Sequence, residues 1–198
     1  MMESEQAEVL LTIARLFSSL GIHYHVGGSV ASSIHGVPRF TQDIDVVAEM
    51  GEEHVAPLVA ALESQFYIDA GMIRDAIKRK ASFNIIHLRS LNKVDVFVSS
   101  LEPWAIEEAA RRIARPLEED ADSTIYVASP EDTILHKLKW YRMGGGVSDR
   151  QWSDVLGVLR IQGPSLDQGY LQRWAAAIAV EDLLKQAMEE AGKPNSRR

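Results

Sequence analysis

Apolar positions recur at helical spacing through residues 5–20, where Val9, Leu10, Ile13, Leu16, Phe17 and Leu20 form one stripe and Gly21 follows as a stop. "IHYHV" then alternates, which predicts a short strand running into Gly27-Gly28. "SVASSIHG" predicts a short helix with Ser29 near its start and Gly36 at its end. "IDVVAEM" has the alternation of a strand, and "EEHVAPLVAALESQF" the spacing of a helix. "SFNIIHL" and "KVDVFVSS" predict two adjacent strands joined by a turn at "RSLN". "EPWAIEEAARRIA" predicts a helix terminated by Pro116, and "STIYVAS" a further strand.

From Ser129 the pattern becomes wholly helical. In "SPEDTILHKLKWYRM", Ser129 is a capping residue, Pro130 takes the first helical position, and acids fill the first turn. Gly144-Gly145-Gly146 interrupts the pattern, "SDRQWSDVLGVLRI" resumes it, and Gly163-Pro164 interrupts it again. A last helix is predicted through "LDQGYLQRWAAAIAVEDLLKQAMEE", with "GKPNSRR" as a frayed tail. The chain therefore divides into a mixed α/β (α+β) half, residues 1–128, and a C-terminal helical region, residues 129–198.

One strand breaks the compositional rule. Aspartate is depleted in strands, yet "DIDVV" carries Asp43 and Asp45. Residues two apart on a strand point to one face, about 7 Å apart, so these carboxylates repel unless a cation lies between them. "KVDVFV" repeats the device, with Lys93, Asp95 and Phe97 on one face and Val94, Val96 and Val98 on the other. If the two strands are neighbours, three hard oxygen ligands converge, the usual protein contribution to a pair of Mg²⁺ ions about 3.5–4 Å apart. Gly27, Gly28 and Ser29 lie fifteen residues upstream of Asp43, counted from Gly28, as a glycine turn opening a helix. Such a turn offers backbone N–H groups to phosphate. A glycine pair or an Asp-x-Asp alone signifies little; their joint order along the chain points to a metal-and-triphosphate site.

Charge and composition narrow the classes. The 198 residues are 46% hydrophobic and 25% charged, as in ordinary globular proteins. Without cysteine there is no disulfide, thiolate metal site or Cys nucleophile. The acidic N-terminus does not resemble a signal peptide, and no apolar run reaches the roughly 18 residues of a membrane span, so a cytoplasmic protein without membrane contact is expected. The net charge of −7 opposes a surface made for nucleic acid, but residues 71–95 carry Arg74, Lys78, Arg79, Lys80, Arg89 and Lys93 against Asp75 and Asp95. That island is either a solvated helix face or a rim for an anionic acceptor such as a tRNA end. Trp140, Trp152 and Trp174 are expected in packing, and His87 and His136 as structural residues. The triple glycine lacks the lysine of a P-loop.

"VGGS", "DID" and "VDV" together resemble the signature of the nucleotidyltransferase superfamily that includes DNA polymerase beta and the aminoglycoside nucleotidyltransferases. "PRFTQDIDVV", with Arg39 and Thr41 before the acids, is similar more narrowly to the AbiEii-type enzymes of type IV toxin–antitoxin systems and their relatives. Pro130-Glu131-Asp132, Lys137, Arg142 and Asp154 match the second half of that pattern. Its Arg-Asp-x-x-Asp is not kept: Gln151 stands at the first acid, and Asp149 either substitutes or caps the helix begun at Ser148.

The resemblance implies a mixed sheet flanked by helices and an Mg²⁺-dependent nucleotidyltransferase, with two ions (Mn²⁺ an accepted substitute), that moves NMP from an NTP to a hydroxyl. Asp43, Asp45 and Asp95 would bind metal, and Lys137 would neutralise developing charge. Gly27, Gly28, Ser29, Arg39, Thr41 and Asp154 would meet the nucleotide. RNA as acceptor, a toxin role and an antitoxin partner are further implications. The alternative is a nucleotide-binding or interaction module whose chemistry has decayed.

Overall fold

The structure, a computed structural model, describes residues 4–117 and 123–193. The expected tail from Pro194 onward lies outside the described residues. The chain forms two compact units. One comprises the chain up to Val30 together with Phe40–Ala128, and the other comprises Ala31–Arg39 together with the chain from Ser129. The sequence puts 31–39 with the first half; in the structure this segment belongs with the C-terminal helices.

The first unit is built on a seven-stranded mixed sheet in the order β3-β4-β5-β2-β1-β7-β6. Its strands are β1 Tyr24–Val26, β2 Asp43–Ala48, β3 Phe66–Tyr67, β4 Ser82–His87, β5 Lys93–Val98, β6 Ile113–Pro116 and β7 Thr124–Val127. Its helices are α1 Ser4–Ser19, α3 Val55–Leu62, α4 Ala70–Arg79 and α5 Pro103–Arg111, while α2 Gly28–His35 follows β1. The central strands β2 and β5 run parallel, with Ile44 opposite Val94 and Val46 opposite Val96. All four are buried. Each contributes about 1.5–3 kcal/mol by leaving water, so the alternation fixes register. A slip by one residue would bury the aspartates instead.

Four elements differ from the sequence reading. The helix expected over 52–66 ends at Leu62, and Phe66–Tyr67 forms the edge strand β3 against β4. Residues 70–79 form α4, with the Asp69 side chain accepting from Met72 N at 2.7 Å and Lys80 closing the helix at φ 51°. The helix predicted to run to Pro116 ends at Arg111, and Ile113–Pro116 turns back as β6 to pair antiparallel with β7. Pro116 sits on an edge strand, where a missing N–H costs no ladder bond. The last predicted helix is two, α8 Gln168–Ala177 and α9 Glu181–Ala191. Between them Ala179 adopts φ 57°, and Val180 N donates to Ala175 O at 2.8 Å. That is a Schellman-type stop, completed by Ala179 N donating to Ala176 O at 3.2 Å.

The second unit packs α6 Pro130–Met143, α7 Asp149–Gln162, α8 and α9. The segment from Ala31 joins through close backbone approach. A Cβ on Gly36 would lie 2.8 Å from Val158 N, and one on Gly157 would lie 3.2 Å from Val37 N. Gln162 Nε2 donates to His35 O at 2.9 Å, closing the contact. Of the tryptophans expected in packing, Trp152 donates to Glu190 at 3.0 Å and Trp174 lies edge-on to Tyr170, whereas Trp140 is exposed.

Candidate functional site

The acids meet because of strand parity. Asp45 and Asp95 are direct register partners on parallel strands, and Asp43 is paired with Lys93. All four side chains leave the sheet on the face opposite the buried Ile44, Val46, Val94 and Val96. Asp43 is exposed, and Asp45 and Asp95 are half-buried. Lys93 Nζ lies 2.8 Å from Asp95 Oδ2 and 3.4 Å from Asp43 Oδ1. Its ammonium is held above the ordinary lysine range, mainly by the hydrogen bond to Asp95, with the charges of Asp95 and Asp43 adding to it against a smaller opposing effect of burial. Among the described residues no three Asp, Glu, His or Cys side chains are gathered as a metal-holding group; the cation now among these acids is Lys93. The donors themselves, carboxylates on one face of two adjacent strands, have the hardness and charge that suit Mg²⁺.

The glycine turn is shaped around Asp45. β1 pairs with β2 as far as Val26 opposite Val46, and Gly27 N then donates to Asp45 O at 2.9 Å. Gly28 opens α2 at φ +53°, in the left-handed region. A Cβ there would come 1.8 Å from Asp45 Oδ2. Gly28 is therefore required twice over, by backbone angle and by the carboxylate at its α-carbon. Gly27 and Ser29 share the turn, which places the start of a helix beside the acids. Thr41 lies just ahead of β2, its Oγ1 donating to Asp43 O at 3.3 Å and its carbonyl accepting from Gln6 Nε2 at 3.0 Å.

The remaining expected site residues gather in the helical unit. Arg39 Nε and Nη2 donate to the two oxygens of Asp154, each at 2.8 Å, and Lys137 Nζ donates to Asp154 Oδ2 at 2.7 Å. Asp154 and Lys137 are buried, with side chains only 5% and 6% exposed. Burial works to raise the Asp154 carboxyl, but the hydrogen bonds and charges of Arg39 and Lys137 outweigh it and hold the group below the usual range. Lys137 therefore spends its ammonium on an internal partner. Glu131 and Asp132 do structural work as well. Asp132 accepts from Ser129 Oγ and from Tyr170 OH, each at 2.6 Å, and Glu131 accepts from Asp167 N at 2.8 Å. Tyr170 was not singled out by the sequence, because nothing in "DQGYLQ" marks its hydroxyl as reaching α6.

The basic island is not a free cationic rim. Arg74 pairs with Glu52, Arg79 with Asp75, Arg89 with Glu5, and Lys93 with the site acids. Lys78–Lys80 precede Ser82, which is opposite Phe97, whereas Ile86 is opposite Lys93. They therefore enter β4 at the end remote from Asp43.

No family profile matches the chain, and no curated protein does. Solved structures do match. An antigenic nucleotidyltransferase-like protein from Paracoccidioides brasiliensis superposes with a TM-score of 0.56 at 15% identity, covering 95% of this chain and 94% of its own. The antibiotic-resistance factor ANT(2'')-Ia superposes in its solution structure with a TM-score of 0.58 at 14% identity, covering 96% of this chain and 99% of its own. Its crystal form in complex with adenylyl-2''-tobramycin gives 0.59 at 14% identity, covering 89% and 98%. At such identities the likeness is one of architecture: this chain has a nucleotidyltransferase fold.

Proposed function

We propose that the protein is an Mg²⁺-dependent nucleotidyltransferase that moves an NMP group from an NTP to a hydroxyl acceptor with release of pyrophosphate. The observation that supports this most is the register of β2 and β5, which sets Asp45 against Asp95 while Gly28 gives up its side-chain space to the Asp45 carboxylate. Asp43, Asp45 and Asp95 would hold the metal. Bound there, Mg²⁺ would supply charge neutralisation for the triphosphate and acidify the attacking hydroxyl. The chain's own groups would do the rest. Backbone N–H groups at Gly28 and Ser29 would receive phosphate oxygens. Asp95, the more sheltered of the outer two acids, would accept the proton of the acceptor hydroxyl. Arg39, Lys137 and Asp154 act in this reading as a charged lock that shapes the helical unit.

The resemblance seen in the sequence extends to an RNA acceptor and a toxin–antitoxin role. Lys78 and Lys80 are the island residues left to support RNA, so we propose the acceptor no more narrowly than a hydroxyl compound. Asp45→Asn is expected to lower transfer of label from α-³²P NTPs by at least about 10²-fold, the usual size for loss of one charged contact to the transition state. Its circular dichroism spectrum should be unchanged. Wild-type turnover by folded Asp45→Asn protein would dispose of the metal-site role of Asp45, and absence of transfer by the folded wild type with all four NTPs would leave a binding module.

A further inference from the structure

The position between Asp43 and Asp95 is held by an ammonium group, and the sheet register puts it there. Lys93 is two residues before Asp95 on the same strand face and directly opposite Asp43 on the neighbouring strand. Its Nζ is 2.8 Å from one carboxylate and 3.4 Å from the other. The pairing relieves repulsion between acids that parity forces together. A divalent ion held by the same oxygens would stand within a few ångströms of that ammonium, where like charges repel strongly in a partly sheltered site. The lysine has room to leave, since its side chain is 37% exposed and sits on a flexible four-carbon stem.

Resting on the metal-dependent reading above, we propose that Lys93 is a resident counter-ion of the acid cluster, displaced when a divalent cation binds and thereby lowering the protein's affinity for metal. The nucleotide-free protein then keeps its carboxylates aligned and compensated without holding an ion tightly.

The test is a Mn²⁺ titration followed by the electron paramagnetic resonance of free Mn²⁺, without nucleotide. It uses the full chain as wild type, Lys93→Met, Lys93→Gln and Asp45→Asn. Both Lys93 variants should bind Mn²⁺ about tenfold more tightly than wild type, equivalent to about 1.4 kcal/mol, and Asp45→Asn more weakly. Two substitutions of different polarity guard against a folding defect in one, with near-ultraviolet circular dichroism as the check. Equal or weaker binding by both folded Lys93 variants, with wild type binding and Asp45→Asn impaired, would overturn the role of the lysine and leave the metal site standing. No Mn²⁺ binding by any of the four folded proteins would overturn both.

Discussion

Replacing Asp154 by alanine should cost about 3–5 kcal/mol of stability, the range for removing one partner of a buried ion pair. The cost is large because the change leaves Lys137 nearly sealed from water with its counter-ion gone, and removes both acceptors of the Arg39 fork. In a protein of this size each kcal/mol is worth about 2–4 °C in Tm, so differential scanning calorimetry would read the effect directly. The double variant Lys137→Met with Asp154→Leu should lose less than Asp154→Ala alone, since the sealed ammonium is then gone with its counter-ion and only the more exposed Arg39 is left without its acceptors. Protonation makes the same point. The folded-state carboxyl is held below its ordinary value, so its contribution is complete above the unfolded value of about 3.9. It fades as pH falls from there through the lower folded-state value. The stability difference between wild type and Asp154→Ala should therefore be constant near neutrality and shrink in strong acid. A difference under about 1 kcal/mol at pH 7 would mean that the cluster is not sealed as described.

The second large effect is expected at Gly28. Alanine there must occupy φ +53° with its methyl group 1.8 Å from an Asp45 oxygen. The left-handed conformation alone costs about 1–3 kcal/mol, and relief of the clash requires Asp45 to rotate or α2 to shift. Gly28→Ala should therefore lower Tm and reduce nucleotidyl transfer at once. Gly27→Ala supplies the control: its added Cβ would meet nothing within 4 Å, and its φ is not in the left-handed region. Equal behaviour of the two variants in melting and transfer assays would show that Asp45 does not depend on the shape of the turn.

Where the sequence could be read, a strong period made it readable. The alternation in "DIDVV" and "KVDVFV" gives the faces of β2 and β5, and those faces bring Asp45 opposite Asp95. The capping serine of α6 is equally visible, its side chain accepting from Asp132 N. The elements that escaped have weak local signals. Helix α4 buries only Ile73 and Ala76, too narrow a stripe to stand out among its charges. The break between α8 and α9 falls at Ala179 rather than at a glycine or asparagine, and its neighbour Val180 is fully buried. A left-handed alanine costs about 1–2 kcal/mol, and tertiary packing at Val180 is the compensation that local propensity does not contain. The Arg39–Asp154–Lys137 cluster joins positions distant in sequence. The residue types hinted at a site, but only the fold shows the three satisfying one another.

The excursion of residues 31–39 has a consequence for how the molecule can be made. The chain passes between its units at Val30, again at Arg39, and a third time at Ala128. During synthesis from the N-terminus, the segment that carries Gly36 and Arg39 emerges early, but α7, which its backbone must touch, comes only after all of Phe40–Ala128. Nascent chains would hold that segment without its partner until the last third is made. For the same reason a cut at the Ala128–Ser129 junction does not release two complete parts. One fragment would keep a stretch it has no use for, and the other would lack the stretch that covers Gly157 and supplies the fork to Asp154.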